Sequence, residues 1–488
     1  MKILFVCKGD LRRFFPSVAT AVRDQHGLEV SAVTFATPAT RALVRLGVFD
    51  EVHNLAAHLK QWTRQHDVDE CSNLLTTGDL CEPECLNAMI LSDRIVGRYR
   101  FERVVRIVAG IYDFWRTALD TVQPDAVLGE IASVSEWIAW SLAKRRNIRY
   151  LTPYPTPVTQ RFFFIDSPTS GWNAMETAYS EVRNRELSAD ESRQAAQFLH
   201  QFRAQRLKPP SLARGLRSPL HLDPTRWFRR LGRAPSRAAT YLEDGDLEVG
   251  SFHGTPPWEP IWADTLRILR HIAAEATMFE RQAVKGRTAF FGLHTQPEFT
   301  TDVRAPFFTN QVALAENIAR SLPVGYRLVV KEHPGMKGER PPGYYRQLKK
   351  PYNVRLLSPS VDSHELILNS DVVFAITGTT AWEGILYEKP VIAFGPLGYH
   401  FFELLYQCRN VTELPGLIRE AIQNFRPDRH RLLKLVWSLL ESAHHGEWGD
   451  SLADSRILDR SNVNGIAHAI VAELSSQVSA PAASSISA

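Results

Sequence analysis

The sequence predicts an α/β protein of two doubly wound lobes, each a parallel sheet covered by helices on both faces. Three observations lead there. Short apolar runs rich in β-branched and aromatic residues alternate with helical segments near both ends of the chain, which is the grammar of parallel sheets. The alternation is interrupted once, by a long Pro- and Arg-rich stretch. The chain has 488 residues, 44% hydrophobic and 23% charged, enough for more than one sizeable core.

The first lobe, residues 1–165, opens on 2-KILFVC-7. This apolar run is cut by Lys8 and Asp10, too early for a signal-peptide core or a membrane span, so it reads as the first strand of a cytoplasmic protein. Further strands are expected at 29-EVSAVTF-35, 125-DAVLGE-130 and 148-IRYLTP-153, with amphipathic helices over 16-PSVATAVRDQ-25 and 134-VSEWIAWSLAKRR-146. Residues 166–284 read as a helical insertion and linker. Within it, 203–237 holds ten Lys or Arg (Arg203 and Arg206 among them) against the single acid Asp223, and prolines break any long helix. Such an arm is expected to be exposed, serving either as a solvated or lobe-joining segment or as a peripheral contact with anionic lipid at the inner membrane, where Trp227 and Phe228 beside Arg229 and Arg230 suit an interface.

The second lobe, 285–425, repeats the pattern with strands at 287-RTAFFGL-293, 326-YRLVVKE-332, 352-YNVRLLS-358, 371-DVVFAIT-377 and 390-PVIAFG-395. C-terminal helices follow over 426–475, then a small, polar tail, 476–488, expected to be disordered. Net charge is +4, too mild to require a nucleic-acid partner. The five cysteines are odd in number and scattered, which argues against a disulfide framework, and Cys71, Cys81 and Cys85 lack the spacing of a zinc site, so no metal is expected.

Three polar clusters follow apolar strands. In an open parallel sheet, residues just past the carboxyl ends of strands face the ligand crevice. Lys331, Glu332 and His333 stand at such an end; strand alternation sends Lys331 and His333 to one side, a cation and an imidazole suited to phosphate, while Pro334 and Gly335 turn the chain away. In 377-TGTTAWEG-384, Thr377, Gly378, Thr379 and Thr380 open a helix whose free N–H groups make an anion cradle, and Glu383 one turn on would accept from ribose hydroxyls or simply act as a capping residue. His294, Gln296 and Glu298 leave the strand at 287–293, toward the sugar or the leaving group.

LHTQPE, VVKEHPGMKG and TGTTAWEGILYEKPVIAFGPLGY, in this order, resemble the capsule and surface-polysaccharide biosynthesis glycosyltransferases related to Kdo transferases, with a His-Pro motif similar to that of bacterial sialyltransferases. The resemblance spans about 285–400. It implies a GT-B fold and sugar transfer from a nucleotide-sugar donor in the second lobe, a CMP-linked acidic sugar foremost with UDP- and GDP-sugars open, to a surface-polysaccharide or lipid-linked glycan acceptor at the first lobe. No cofactor or metal is implied. His333 and Lys331 would meet donor phosphate, Thr377 to Thr380 would cradle it and Glu383 would hold the ribose. An inverting reaction also needs a base, for which Glu130, at the end of a first-lobe strand, and then Asp10 are the candidates. Two other readings fit the architecture: a UDP-sugar 2-epimerase, which needs several carboxylates around the ring, and a non-catalytic scaffold of a polysaccharide assembly complex.

Overall fold

A computed structural model describes residues 1–488 except 10, 81–85, 159, 166, 168–170, 208–234, 236, 246, 248–258, 283, 449–454 and 477–488. The described strands are β1 (Lys2–Cys7), β2 (Glu29–Thr34), β3 (Val52–Asn54), β4 (Ala126–Leu128), β5 (Arg149–Pro155), β6 (Arg161–Ile165), β7 (Thr288–Gly292), β8 (Arg327–Lys331), β9 (Val354–Leu357), β10 (Val372–Ala375), β11 (Val391–Ala393), β12 (Leu405–Gln407) and β13 (His444–His445). Among the helices, those used below are α1 (Leu11–His26), α2 (Phe101–Val122), α3 (Val134–Arg145), α4 (Asn173–Arg183), α5 (Ala189–Gln205), α6 (Glu259–Thr277), α7 (Thr379–Leu386), α8 (Arg429–Ser442) and α9 (Arg460–Ser476).

The strands form two sheets, in the orders β13-β6-β5-β4-β1-β2-β3 and β12-β11-β10-β7-β8-β9. The second is parallel throughout; the first is parallel from β3 to β5 and then gains β6, antiparallel to β5, and at the edge β13, antiparallel to β6. This is the two-lobed GT-B architecture. In each lobe the order runs outward in both directions from the lobe's first strand, so a switch point falls between β1 and β4 in one sheet and between β7 and β10 in the other. Diverging connections leave a crevice there, and the loops after those four strands flank it.

The strand interiors are mostly apolar, as buried parallel strands require: β1 packs Ile3, Phe5 and Cys7 against α1, and Leu4 and Val6 against the side of α2. Two sequence expectations change. The helix expected from Pro16 begins at Leu11, because Phe14 and Phe15 are drawn into the core, edge-on to Trp448 and Phe5. Residues 134–146 were expected to be amphipathic, yet every side chain from Val134 to Ala143 is buried. Glu136 is among them.

Helices α4 and α5 pack through Met175, Tyr179, Phe198 and Phe202 into the same core as Trp382 and Tyr387, and α8 covers them. The chain then returns to the first lobe, where Ile466, Ala467 and Ile470 of α9 close over Val18 and Val22 of α1. Of the basic arm, 208–234 lies outside the described residues, as does most of the tail. Its start is not free. Arg203 donates to the Leu386 carbonyl and pairs with Glu388 at 2.7 Å, and Arg206 meets Asp362 at 2.7 Å, so both arginines tie α5 to the second lobe.

Candidate functional site

The loop after β7 is the hub. His294, 8% exposed, accepts a long hydrogen bond from the Thr377 N–H at its Nε2 (3.4 Å), and a Cβ on Gly378 would lie 2.7 Å from the same nitrogen. Thr380 is also close to the end of β7: a Cβ on Gly292 would meet its Oγ1 at 3.1 Å. The ends of β7 and β10, the switch-point strands, are therefore in contact through an imidazole and two glycines. Burial, the neighbouring His333 and the Arg340 guanidinium push His294 down to about 3, outweighing the Gly292 carbonyl that favours its protonated form.

The loop after β8 joins them. Lys331 is buried and His333 caps a short turn, Pro334–Met336, with its Nδ1 accepting from the Gly335 N–H at 3.0 Å. Burial, Lys331 and Arg340 push His333 down to about 4. A neutral ring that accepts at Nδ1 carries its proton on Nε2, which makes His333 a hydrogen-bond donor at neutral pH. Since His294 feels His333 on one side and contacts Thr377 and Gly378 on the other, the structure brings Lys331, His333, His294 and the start of α7 together.

Arg340 holds this arrangement, and it was missed. Its Nε lies 3.1 Å from Glu332, its terminal nitrogen donates to the His294 carbonyl, and it stacks on Tyr344 at 4.5 Å. Glu332 is fully buried and also accepts from Tyr345 (2.9 Å) and from the His333 N–H (2.6 Å); burial nonetheless raises its pKa. A buried carboxylate needs a buried cation, so a glutamate at the end of an apolar strand was a signal that a partner such as Arg340 would follow.

Other expected residues sit elsewhere. Gln296 is taken up within its own loop: its amide donates to Asp302 (2.9 Å) and the Thr309 carbonyl (2.7 Å) and accepts from Gln311 (2.7 Å), fixing the loop. Glu298 faces Arg94 of the first lobe, whose Nε donates to the Pro297 carbonyl at 3.0 Å, and burial raises its pKa. The same loop anchors Thr377, whose hydroxyl donates to the Thr300 carbonyl at 2.7 Å. Glu383 is buried in α7, near Tyr387 and Tyr399.

Across the crevice, the first-lobe switch point carries Lys8 after β1 and Glu130 after β4. Lys8 Nζ is 3.0 Å from Glu136, which is fully buried and also accepts from the Ser133 hydroxyl at 2.7 Å. Burial raises Glu130, opposed by Lys8 and by the Trp448 indole. Lys8 and Glu136 were not singled out in the sequence because they lie 128 residues apart. Asp10 lies outside the described residues, as do Cys81 and Cys85; Cys71 is buried, and no group of side chains suited to a metal occurs among the described residues. A cavity of about 470 Å³ opens farther along the same edge, beside Thr37, Lys60 and Asp244.

The class defined by this fold and site is a two-lobed one with polar loops converging at both switch points. Residues 276–412 match the family described as capsule polysaccharide biosynthesis protein, a stretch that takes in the whole of the second sheet, from β7 to β12. No curated protein matches the chain. Among solved structures, the chain is similar to the KpsC β-Kdo 2,4-transferase of Thermosulfurimonas dismutans (13% identity, 69% of this chain and 87% of that one, TM-score 0.39). It is also similar to the β-Kdo 2,7-transferase of the same KpsC (10% identity, 77% and 97%, TM-score 0.38) and to a putative UDP-N-acetylglucosamine 2-epimerase of Listeria monocytogenes (12% identity, 94% of each chain, TM-score 0.28). At these scores nothing about the chemistry of this chain follows from them.

Proposed function

We propose that the protein is a glycosyltransferase of capsule or surface-polysaccharide assembly that moves a sugar from a nucleotide donor, a CMP-linked acidic sugar foremost, to a glycan or lipid-linked acceptor. The observation that carries this reading is the convergence of Lys331, His333, His294 and the start of α7 at the switch point of the lobe that matches the capsule family. Lys331 supplies positive charge to the donor phosphate. His333 donates from Nε2, and the N–H groups of Thr379 and Thr380, with the positive end of the α7 dipole, stabilise the charge that builds on the leaving group. His294, buried and neutral, keeps the β10 loop in position.

Glu130 takes the acceptor proton. Burial raises its pKa, which makes the ionised carboxylate a stronger base than an exposed glutamate. Glu136 is fully buried and paired with Lys8, so it does not offer the second ring-facing carboxylate that sugar epimerisation would need.

Titrating the protein with CMP, UDP, GDP and dTDP, followed by transfer assays with the matching sugars, tests the reading. Binding of one nucleotide that His333→Ala weakens by about 2 kcal/mol or more supports it. Isomerisation of a UDP-N-acetylhexosamine without acceptor would replace it, and no nucleotide binding at all would leave a scaffold.

A further inference from the structure

We propose that the outer face of α6, with the basic residues at its C-terminal end, docks on an anionic lipid bilayer. The inner face of the helix is ordinary packing. Arg267 Nε lies 2.9 Å from Glu339, Glu275 accepts from the Ser358 hydroxyl at 2.6 Å, and Gly338 presses so closely on the Arg267 carbonyl that a Cβ there would sit 1.9 Å from the oxygen. The outer face is different: Trp262 is 69% exposed, Leu266 48%, Leu269 59% and Ile272 48%. Their spacing of three and four residues lines them up on one side. The other exposed side chains described on this helix are Ala263, Thr265, Ala273, Ala276 and Thr277, so none is charged. A helix face in water normally carries charge, and a contiguous apolar stripe marks a surface that something covers.

Charge says what covers it. Lys349 Nζ donates to the Met278 carbonyl at 3.1 Å, which sets Lys349 at the C-terminal end of the helix; Lys350, next to it in the chain, and Lys285, shortly after the helix in sequence, are exposed. The acids of this region are already engaged: Glu275 is 3.5 Å from Arg281, and Glu280 is 3.6 Å from Arg355. An apolar stripe bearing a tryptophan and bordered by cations suits the boundary between acyl chains and acidic headgroups. No described helix is long and apolar enough to cross a membrane, so the contact is lateral. Because the inner face of α6 rests on the 334–340 loop, docking would hold that edge of the crevice about one helix diameter, ~10 Å, from the headgroups.

The proposal does not depend on the transfer reading, and lipid binding tests it without any donor. The full chain is sedimented with phosphatidylethanolamine/phosphatidylglycerol vesicles and with phosphatidylcholine vesicles, beside W262S/L269S and K285E/K350E. Wild type should partition onto the acidic vesicles and far less onto the neutral ones. Each double variant should lose about tenfold or more in partitioning while keeping the wild-type melting temperature. Wild type that ignores acidic vesicles, or W262S/L269S that binds them equally well, overturns it. So does sedimentation velocity showing a dimer that W262S/L269S abolishes, since a second copy would then be what covers the stripe.

Discussion

The guanidinium of Arg340 lies 3.1 Å from the carboxylate of Glu332, with both side chains almost wholly out of water, and the same guanidinium reaches the His294 carbonyl. One cation thus ties the loop after β7 to the loop after β8. Removing one partner of a buried pair strands the other, which costs far more than the pair itself contributes. Arg340→Met should therefore lower the unfolding free energy in urea by about 3 kcal/mol, and the double variant Glu332→Gln/Arg340→Met should recover much of that loss. If donor binding falls in the double variant although stability returns, the link to His294 is what positions the site.

Acid should weaken the fold through the two histidines. Both are held below their ordinary pKa, His333 at about 4 and His294 at about 3, so the unfolded chain binds protons that the folded chain refuses. Stability is fully present above the ordinary histidine range, about 6.5, and is lost as pH falls through that value toward 4 and then 3. Burial raises Glu332 and acts in the opposite sense, giving stability at low pH that fades as pH rises above the carboxylate range. Urea melts between pH 7 and pH 4.5 should show a downward slope for wild type, and a shallower one for His333→Gln. An unchanged slope would mean that the ring titrates normally.

The strands named in the sequence are all present because each is a buried parallel strand, and its continuous apolar run leaves little else for it to be. The missed strands are short or lie at edges: β3 and β12 have three residues each, and β6, 161-RFFFI-165, follows the proline-broken stretch 153-PYPTP-157, which hides it. At the site, His294, Lys331, His333 and the Thr377 loop were legible singly, since each leaves the end of such a strand. Their meeting at one crevice was expected from the strand-end rule alone; which strands would be neighbours was not, because no local pattern specifies the order β10-β7-β8. Gln296 misled for a related reason: an amide in a loop looks the same in sequence whether it faces a ligand or, as here, Asp302 and Gln311.

Lys8 bears on the proposed base. Its ammonium pairs with Glu136 and lowers the Glu130 pKa against the effect of burial. Lys8→Met should therefore raise the Glu130 pKa further. If Glu130 must be ionised to accept the acceptor proton, the acid limb of the kcat/KM profile should move to higher pH, with activity at high pH much less affected. A limb that stays in place in Lys8→Met would assign the base elsewhere.

If, as proposed, Lys331 and the start of α7 supply the charge at the donor site, transfer should survive treatment with EDTA followed by desalting. Activity that is lost and then restored by a divalent cation would assign that charge to a metal instead.

The closest test of the convergence itself is a single methyl group. Gly378 has an extended backbone (φ −85°, ψ 172°) that any residue can adopt, so Gly378→Ala adds no backbone strain. Its new Cβ, however, would sit 2.7 Å from His294 Nε2 and 3.1 Å from Cδ2, well inside contact distance. The imidazole is buried, and its backbone is held by Gln311 at 2.8 Å and by Arg340, so it cannot yield by turning outward into water. Either the ring or the β10 loop must shift, and displacing the N–H groups proposed to bind donor phosphate by even a fraction of an ångström should weaken donor affinity about tenfold or more. Gly343→Ala is the matched control. No atom lies within 4 Å of the Cβ it would add, and it stands in a helix, Pro342–Leu348, where alanine is the better residue, so donor affinity should be unchanged and stability equal or slightly higher. Equal donor affinity in both variants would mean that the β10 loop does not bind the donor, and the reading of this crevice as a nucleotide-sugar site would lose its main support.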